Sequence, residues 1–533
     1  MKILMQHHSP FHYFAITKSC FNFLLLLALL SSGTAFSQQT TTVTGLVTGR
    51  DGGPLPGVSV KVKGYPFTTS TDEQGRYRIK FPADDSPGLL FSFSGMETEG
   101  MAIGEKRHLN VVMKGITFSP ESFHILRDFH PNKFLYRESG LESMKECHFT
   151  VADVSDSQDY ALCEKLGLAV IVTETPHLTG PEWEKLSDAE IDKKVRRMIE
   201  KGGKSKAIIG YQLCDEPSAT AFPALGKAVA AVKKYAPGKF AYINLYPNYA
   251  TLWTMDKVKS QLGTRTYMEY LERFVSEVKP QLISYDNYMV QFSMDLEKAP
   301  QAAKYYTNLM AVREVALKND LPFYNIVSSN QIRPHTTIPS PANLSFQAYT
   351  TLAAGARGVK WYTYHGNAYD YNPLDKRGNK TLTWRYLEEV NRQVSILGPV
   401  MSKFRSAGVY FTSPAPDESL PVLPGKWVRN VETTSPMMVG EFVSDDGTNY
   451  VMIVNLSLDK SAKFILETKI PHEKMWIVSA AEEGQLIEAD DQNEFFLTGH
   501  GKERKPGNEK RGIWLTAGQG VLVKLGGTST PKN

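Results

Sequence analysis

Ala207-Ile-Ile-Gly-Tyr-Gln-Leu-Cys-Asp-Glu-Pro-Ser218 is the stretch on which the fold turns. Its apolar run, Ala207 to Leu213, reads as a strand covered on both faces, the kind found in parallel sheets. The run gives way to Asp215-Glu216-Pro217, so two carboxylates stand where the strand leaves the core, and Pro217 lacks the ladder donor that would continue it. In a (β/α)8 barrel the catalytic side chains sit at the carboxyl ends of the strands. A glutamate in buried surroundings there can hold a proton near neutral pH and act as a general acid. Taken alone, the tripeptide reads equally well as an ordinary solvated helix start. Its neighbours in the chain decide between the two.

From Ile116 to Ser406 apolar strands alternate with amphipathic helices, the α/β pattern. The sequence predicts strands at Phe149–Ala152, Leu168–Val172, Ala207–Leu213, Phe240–Leu245, Gln281–Tyr285, Phe323–Val327 and Gly358–Tyr364. Helices are predicted at Leu141–Cys147, Tyr160–Leu166, Asp188–Lys201, Phe222–Tyr235, Tyr267–Val278, Ala302–Lys318 and Ser345–Ala354. Gly167, Gly202-Gly203 and Pro237-Gly238 close three of them. Seven strands need an eighth at the front to close a barrel, and either Phe134-Leu-Tyr136 or the stretch from Phe123 to Leu126 would supply it. A doubly wound open sheet is the alternative. Against it, no Gly-rich phosphate loop follows any early strand.

The flanks have a different texture. Between Thr41 and Lys114 short alternating strands (Thr42–Val47, Val58–Val62, Leu89–Phe93, Leu109–Met113, and one that ends at Ile79) are separated by Gly and Pro turns, which predicts a small β-sandwich. Beyond Leu397 the alternation returns at Gly440–Val443, Tyr450–Asn455, Ala462–Leu466, Gly512–Leu515 and Gly520–Leu525, a second β-sandwich. The expected order is a signal peptide over 1–37, a β-sandwich over 41–114, a catalytic (β/α)8 TIM barrel over 116–406 and a C-terminal β-sandwich over 407–526. Thr498 to Glu509 reads as a polar loop and Gly526 to Asn533 as a tail.

A chain of 533 residues exceeds one domain, and its length suggests about three. With 42% hydrophobic and 22% charged residues it is ordinary for a globular protein. A formal net charge of +4 with no concentrated basic stretch argues against a nucleic-acid partner. The 25 tyrosines suit large β-rich cores and sugar-stacking surfaces alike. Lys18, the apolar run Phe21 to Leu30 and Ala35-Phe-Ser37 read as a secretory signal cleaved before Gln38. The run is too short to span a bilayer and no second one approaches that length, so the expectation is an exported protein, periplasmic or secreted, with no integral membrane segment. Of four cysteines, Cys20 lies in the leader; Cys147, Cys163 and Cys214 remain, so disulfides are not the framework. Cys214, beside the carboxylates with no histidine near it in sequence, reads as a buried thiol rather than a nucleophile. No cluster has metal-ligand spacing, so neither metal nor other cofactor is implied.

Two resemblances bear on function. The pattern G-x-V … G-x-P-L-P-G-V-x-V … D-x-x-G-x-Y-x-I, from Gly45 to Ile79, resembles the carboxypeptidase regulatory-like domain at the front of many exported and outer-membrane proteins. It implies an accessory or docking module with no chemistry of its own. Gly210-Tyr-Gln-Leu-Cys-Asp-Glu-Pro217 resembles the fourth strand of barrel glycoside hydrolases of the clan A type, where Asn-Glu-Pro or Asp-Glu-Pro carries the acid/base. Gln347 to Tyr364 resembles the end of the barrel in family 42-type β-galactosidases, in which a β-sandwich commonly follows. The resemblance implies hydrolysis of a glycosidic bond in a poly- or oligosaccharide, with Glu216 as general acid/base.

One departure matters. Clan A enzymes carry a glutamate nucleophile at the end of the seventh strand; here Phe323–Val327 runs into Ser328-Ser-Asn-Gln331, with no carboxylate. Three explanations compete. Another strand end can supply the second carboxylate, with Asp286 in Ile283-Ser-Tyr-Asp-Asn-Tyr288 first and Glu174 and Asp153 behind it. The mechanism can be inverting, with carboxyl groups about 6.5–9.5 Å apart rather than the 5–5.5 Å of a retaining pair. Or the barrel is a catalytically silent sugar binder. Ser284-Tyr-Asp286 also resembles the sixth strand of family 18 chitinases, which implies that the substrate's N-acetyl group replaces the nucleophile; the longer Asp-rich run of that family is absent. Candidate substrate contacts are Asp215, Asn244, Tyr285, Tyr288, Trp361, Tyr364 and His365. Strand alternation allows Trp361 with Thr363, or Tyr362 with Tyr364, to face inward, not both sets.

Overall fold

The computed structural model describes residues 40–526 apart from 51, 64, 83–87, 94–95, 115–121, 128–137, 155–157, 175–176, 251–260, 292–299, 333, 335, 366–368, 471–474 and 490–511. The expected signal peptide, the strand candidate Phe134–Tyr136, the loop Thr498–Glu509 and nearly all of the tail lie outside the described residues. The chain divides into two compact units, one running to Lys114 and one from Gly115 onward.

In the first unit β1 (Thr40–Gly49) alternates buried and half-buried residues. It pairs antiparallel with β4 (Arg76–Pro82) and parallel with β7 (Val111–Met113). A second sheet has the order β3 (Thr68–Ser70), β2 (Ser59–Val62), β5 (Gly88–Ser92), β6 (Glu99–Ala102). Val43, Val47, Val60, Tyr77 and Phe91 fill the space between them. Gly45 is required where β1 passes the 108–110 segment, since a Cβ there would lie 1.9 Å from the Leu109 carbonyl oxygen.

In the second unit eight parallel strands close a barrel in chain order. They are β8 (His124–Arg127), β9 (Val151–Val154), β10 (Ala169–Val172), β11 (Ile208–Asp215), β12 (Phe240–Leu245), β13 (Ile283–Asp286), β14 (Phe323–Ser328) and β15 (Gly358–Tyr362). Of the two sequence candidates for the first strand, the stretch near Phe123–Leu126 supplies it. Inward side chains (Leu126, Val151, Ile171, Ile209, Phe240, Tyr242, Leu282, Tyr324) pack a core of their own inside the barrel. Outward ones pack on helices, so the strands are apolar on both faces. The helices are α1 (Glu138–Glu146), α2 (Gln158–Leu166), α3 (Gly180–Glu184), α4 (Asp188–Gly202), α5 (Phe222–Tyr235), α6 (Tyr267–Arg273), α7 (Pro300–Lys318), α8 (Pro341–Ala353) and α9 (Leu382–Met401). Their ends follow the local chemistry. Ser187 and Glu190 form a capping box at the start of α4, and Gly203 stops it with a φ of 69°.

After α9 the chain builds two antiparallel sheets. One has the order β16 (Phe404–Phe411), β18 (Met437–Ser444), β19 (Asn449–Asn455), β24 (Gly520–Leu525), β21 (Met475–Ser479), β22 (Gln485–Glu488); the other is β17 (Val428–Thr433), β20 (Ala462–Thr468), β23 (Ile513–Leu515). Val439, Ile453 and Val523 of the first meet Val431, Phe464 and Leu515 of the second, which makes the sandwich core. The other face of the larger sheet, with Met438, Phe442, Met452 and Leu522, joins the barrel's helix-layer core. Helix α8 lies in that seam and is buried all round, as a helix with two apolar faces must be. Gly440 permits the close approach, because a Cβ there would stand 2.2 Å from the Ala353 carbonyl oxygen. Among the described residues no helix is long and apolar enough to cross a membrane.

Candidate active site

The acidic stretch lies at the carboxyl end of β11. Its ladder shifts register between Gln212 and Cys214, after which Asp215 pairs with Asn244 on β12, and Asn244 with Ser284 on β13. Asp286 follows two residues beyond Ser284 and so faces the same way. The Asn244 amide Nδ2 donates to Asp215 Oδ1 at 3.1 Å and to Asp286 Oδ1 at 3.3 Å. The two acid oxygens are therefore no farther apart than those two bonds laid end to end. Glu216 extends the ladder by one bond, its N–H donating to the Asn244 carbonyl at 2.9 Å, and takes a φ of 42°. Asp215 and Glu216 are half-buried, whereas Asp286 is buried. Burial, then the charges of Glu216 and Asp215, hold the Asp286 carboxyl well above the ordinary carboxylate range; the Asn244 hydrogen bond opposes them.

Tyrosines surround this group. Burial, reinforced by the Glu216 charge, pushes the Tyr246 phenol up to about 12. The Tyr270 hydroxyl donates to the Pro217 carbonyl at 2.7 Å and Tyr267 to the Tyr246 carbonyl at 3.0 Å, so α6 braces the ends of β11 and β12. The Tyr288 N–H donates to the Tyr249 hydroxyl at 3.2 Å. The Tyr288 ring lies against Tyr362, centroids 5.0 Å apart, and the Tyr362 and Tyr369 hydroxyls are 2.6 Å apart. Tyr288, Tyr362 and Tyr369 are half-buried.

Three expected substrate contacts are corrected by the direction of their side chains. Trp361 is wholly buried on the helix side of β15, its Nε1 donating to Asn391 of α9 at 2.8 Å. Of the two alternation sets, the inward member of β15 is therefore Tyr362. Tyr364 leaves the strand for the helix layer, where its hydroxyl meets Ser143 at 2.6 Å and accepts from Trp384 Nε1 at 2.7 Å. Tyr285 is an odd neighbour of inward Ser284 and Asp286, and it packs in the helix-layer core with Tyr305. His365 is buried where the chain bridges to Leu374, and burial, then the Arg127 charge, lowers its pKa. The structure thus brings together Asp215, Glu216, Asn244 and Asp286, places Tyr288 between Tyr249 and Tyr362, buries His365 against the Leu374 segment, and sets Tyr285, Trp361 and Tyr364 in the helix layer.

The other carboxylates weighed from sequence have partners of their own. Asp153 pairs with Lys360 inside the barrel at 2.8 Å, and Glu174 with Lys194 at 2.5 Å. The seventh strand's end is a buried knot. Ser328 N–H donates to Gln347 at 2.8 Å, Ser329 Oγ to the Thr363 carbonyl at 3.1 Å, and Asn330 Nδ2 to Thr363 Oγ1 at 3.0 Å. Among the described residues no group of three or more His, Cys, Asp and Glu is arranged to hold a metal ion. Cys147, Cys163 and Cys214 are buried free thiols. Sequence reasoning missed Ser284, Tyr242 and Lys360, although Tyr242 shares parity with Asn244, and Ser284 with Asp286.

Residues 43–119 match the family described as CarboxypepD_reg-like domain. The front of the chain is a carboxypeptidase regulatory-like domain. The chain is also 35% identical over 92 residues to TonB-dependent receptor P3 and 35% identical over 94 residues to TonB-dependent receptor P39, both of Formosa agariphila. Each match takes in 17% of this chain and 9% of the receptor. Solved structures similar to the chain include a β-galactosidase from Marinomonas ef1 (10% identity, TM-score 0.39, 52% of this chain and 61% of that one). A β-galactosidase from Rahnella sp. R3 (13%, 0.41, 54% and 58%) and an endo-β-1,4-mannanase from Thermotoga petrophila (10%, 0.38, 66% and 98%) are others. The chain spans about three-fifths of the two galactosidases. All three are glycosidases, while the barrel of this chain stands on its own strand pairing.

Proposed function

We propose that the barrel hydrolyses a glycosidic bond in a poly- or oligosaccharide, with Glu216 protonating the leaving oxygen and Asp286 as the second carboxylate. The observation that carries this reading is the grouping of Asp215, Glu216 and Asp286 on neighbouring strand ends, with Asp286 pushed well above its ordinary range. Like charges in one site cannot all ionise, so one carboxyl keeps a proton while its neighbour stays charged. That gives an acid and a base in one cleft at neutral pH, which is what glycoside cleavage needs. Asp286, the more buried acid, holds the retained proton at rest, and Glu216, the more open one, meets the glycosidic oxygen. In this reading the proton passes from Asp286 to Glu216 before donation, which leaves Asp286 charged as the second carboxylate. Tyr288 and Tyr362 offer ring faces on which a sugar can stack.

Residues 1–37 serve as the export signal in this reading, and the regulatory-like domain docks the protein to a partner at the cell envelope. The matches to TonB-dependent receptors are compatible with export.

A second reading is favoured by the seventh strand, whose end, Ser328-Ser-Asn-Gln331, carries no carboxylate and has its hydroxyl and amide groups bonded to Thr363 and α8. Here an N-acetyl group on the substrate takes the nucleophile's place, and hydrolysis is confined to N-acetylated sugars. The experiment is sugar release from a broad panel of poly- and oligosaccharides by wild type and Glu216→Gln. Loss of release with retained binding supports hydrolysis by Glu216. Binding without release by wild type across the panel replaces it with a non-catalytic carbohydrate-binding barrel.

A further inference from the structure

Asn244 is 4% exposed at the end of β12. Its amide has two N–H donors on one side and a carbonyl oxygen on the other. The donors lie against Asp215 and Asp286 at 3.1 and 3.3 Å. The oxygen lies 3.3 Å from Ser284 Oγ, which is in turn 2.8 Å from the Tyr242 hydroxyl. Counting protons gives the line a direction. The Asn244 Nδ2 end lies within bonding distance of both carboxyls and its Oδ1 end within bonding distance of Ser284 Oγ, so the amide donates to the acids and accepts from Ser284. Ser284 has one hydroxyl proton, which goes to that carbonyl. Tyr242 must then donate to Ser284 Oγ.

The far end is anchored. Tyr242 is wholly buried, and the Lys360 ammonium sits 4.7 Å from its ring centroid. Lys360 pairs with Asp153 at 2.8 Å, with both side chains fully out of solvent. On the near side, the Asn244 backbone carbonyl accepts from the Glu216 N–H at 2.9 Å. One residue thus touches all three acids of the rim, two through its amide and the third through its main chain.

We propose that Asn244 is the positioning residue of this carboxylate group, its amide locked in one orientation by the Tyr242–Ser284 hydroxyl pair so that Asp215 and Asp286 share one donor group beside Glu216. Its two N–H groups are committed to acids, so it does not donate to sugar hydroxyls, the role its sequence position suggests. Loss of the Ser284 hydroxyl removes the donor that holds the carbonyl end down. The amide can then turn its oxygen toward the two acids, where it repels them.

The catalytic consequence rests on the glycosidase reading, but the geometric claim is tested without substrate. The full-length protein is titrated by infrared difference spectroscopy, reading the protonated-carboxyl band of Asp286, assigned by its loss in Asp286→Asn. Removing a hydrogen bond that favours the charged form raises a carboxyl's midpoint, so Asn244→Ala is expected to shift it up by about one pH unit. Ser284→Ala shifts it in the same direction by less. On any substrate that wild type cleaves, both variants lower kcat with KM little changed. Far-ultraviolet circular dichroism checks folding, and Ser284→Ala keeps the test alive if Asn244→Ala is unstable. An Asp286 midpoint that is the same in wild type and in the folded variants overturns the proposal. A wild type that releases no sugar from any glycan sinks the hydrolase reading and leaves this titration standing.

Discussion

The Glu216 N–H donates to the Asn244 carbonyl at 2.9 Å while Glu216 holds a φ of 42°, so the acid at the centre of the site is pinned by a ladder bond in a left-handed conformation. For a residue with a Cβ that conformation costs roughly 1–2 kcal/mol. Glycine is free of the penalty and alanine is not. The usual order, in which alanine is the more stabilising of the two, therefore inverts here. Glu216→Gly should be about 1 kcal/mol more stable than Glu216→Ala in urea denaturation, and neither should release sugar. An alanine variant as stable as the glycine one would show that the backbone strain is absent.

Asp286 makes stability depend on pH. Its carboxyl is held well above the ordinary range by burial and by Glu216 and Asp215. Below the unfolded pKa of about 4 the group is protonated in both states and the folded protein loses nothing. As pH rises, the unfolded chain releases the proton first, so stability falls until the folded midpoint is passed. Asp286→Asn removes that dependence. The variant should melt higher than wild type at pH 7 to 8, and the gain should vanish on approaching about pH 4. Thermal melts across this range check it; a gain that grows toward acid would reverse the sign of the argument.

How much of this was legible beforehand follows from what periodicity carries. Phe222–Tyr235 and Phe240–Leu245 are found where the apolar spacing puts them, because each has covered faces and a clear stop. His124–Arg127 is a strand of four residues with no alternation, all buried, so no pattern distinguishes it from the core of a helix. Direction within the strands is harder still. Alternation from Ile209, which points into the barrel, would turn Tyr211 and Leu213 inward as well, yet both pack in the helix-layer core, and the ladders of β11 shift register between Ile208 and Gly210 and between Gln212 and Cys214. Parity left β15 with two possible sets, and only the bond from Trp361 to Asn391 chooses between them. The Asp286–Asn244–Asp215 grouping joins three strands, and no single stretch of sequence contains it.

The two faces of β15 should separate in mutagenesis. Trp361→Phe removes the donor to Asn391 and leaves a buried acceptor unsatisfied, so it should cost about 1–3 kcal/mol in denaturation with kcat/KM little altered. Tyr362, half-buried against Tyr288, lies on the face of β15 opposite Trp361. Tyr362→Ala should raise KM about tenfold through the loss of a stacking face while stability changes less than in Trp361→Phe. Equal effects of both substitutions on KM would mean that β15 does not divide in this way.

Deep in the barrel, Asp153 and Lys360 form an ion pair with no solvent exposure on either side chain. Desolvation of two charges roughly offsets their attraction, so the intact pair adds little net stability, but a widowed charge is costly. Lys360→Met should therefore destabilise the protein by about 3–5 kcal/mol, and adding Asp153→Leu should recover most of the loss. Because Lys360 also lies over the Tyr242 ring, the double variant tests a second point. If Tyr242 keeps its place by packing alone, the double variant retains the wild-type Asp286 midpoint in the infrared titration. If the ammonium is what holds Tyr242 beneath Ser284, the midpoint rises as it does in Ser284→Ala even though stability has returned.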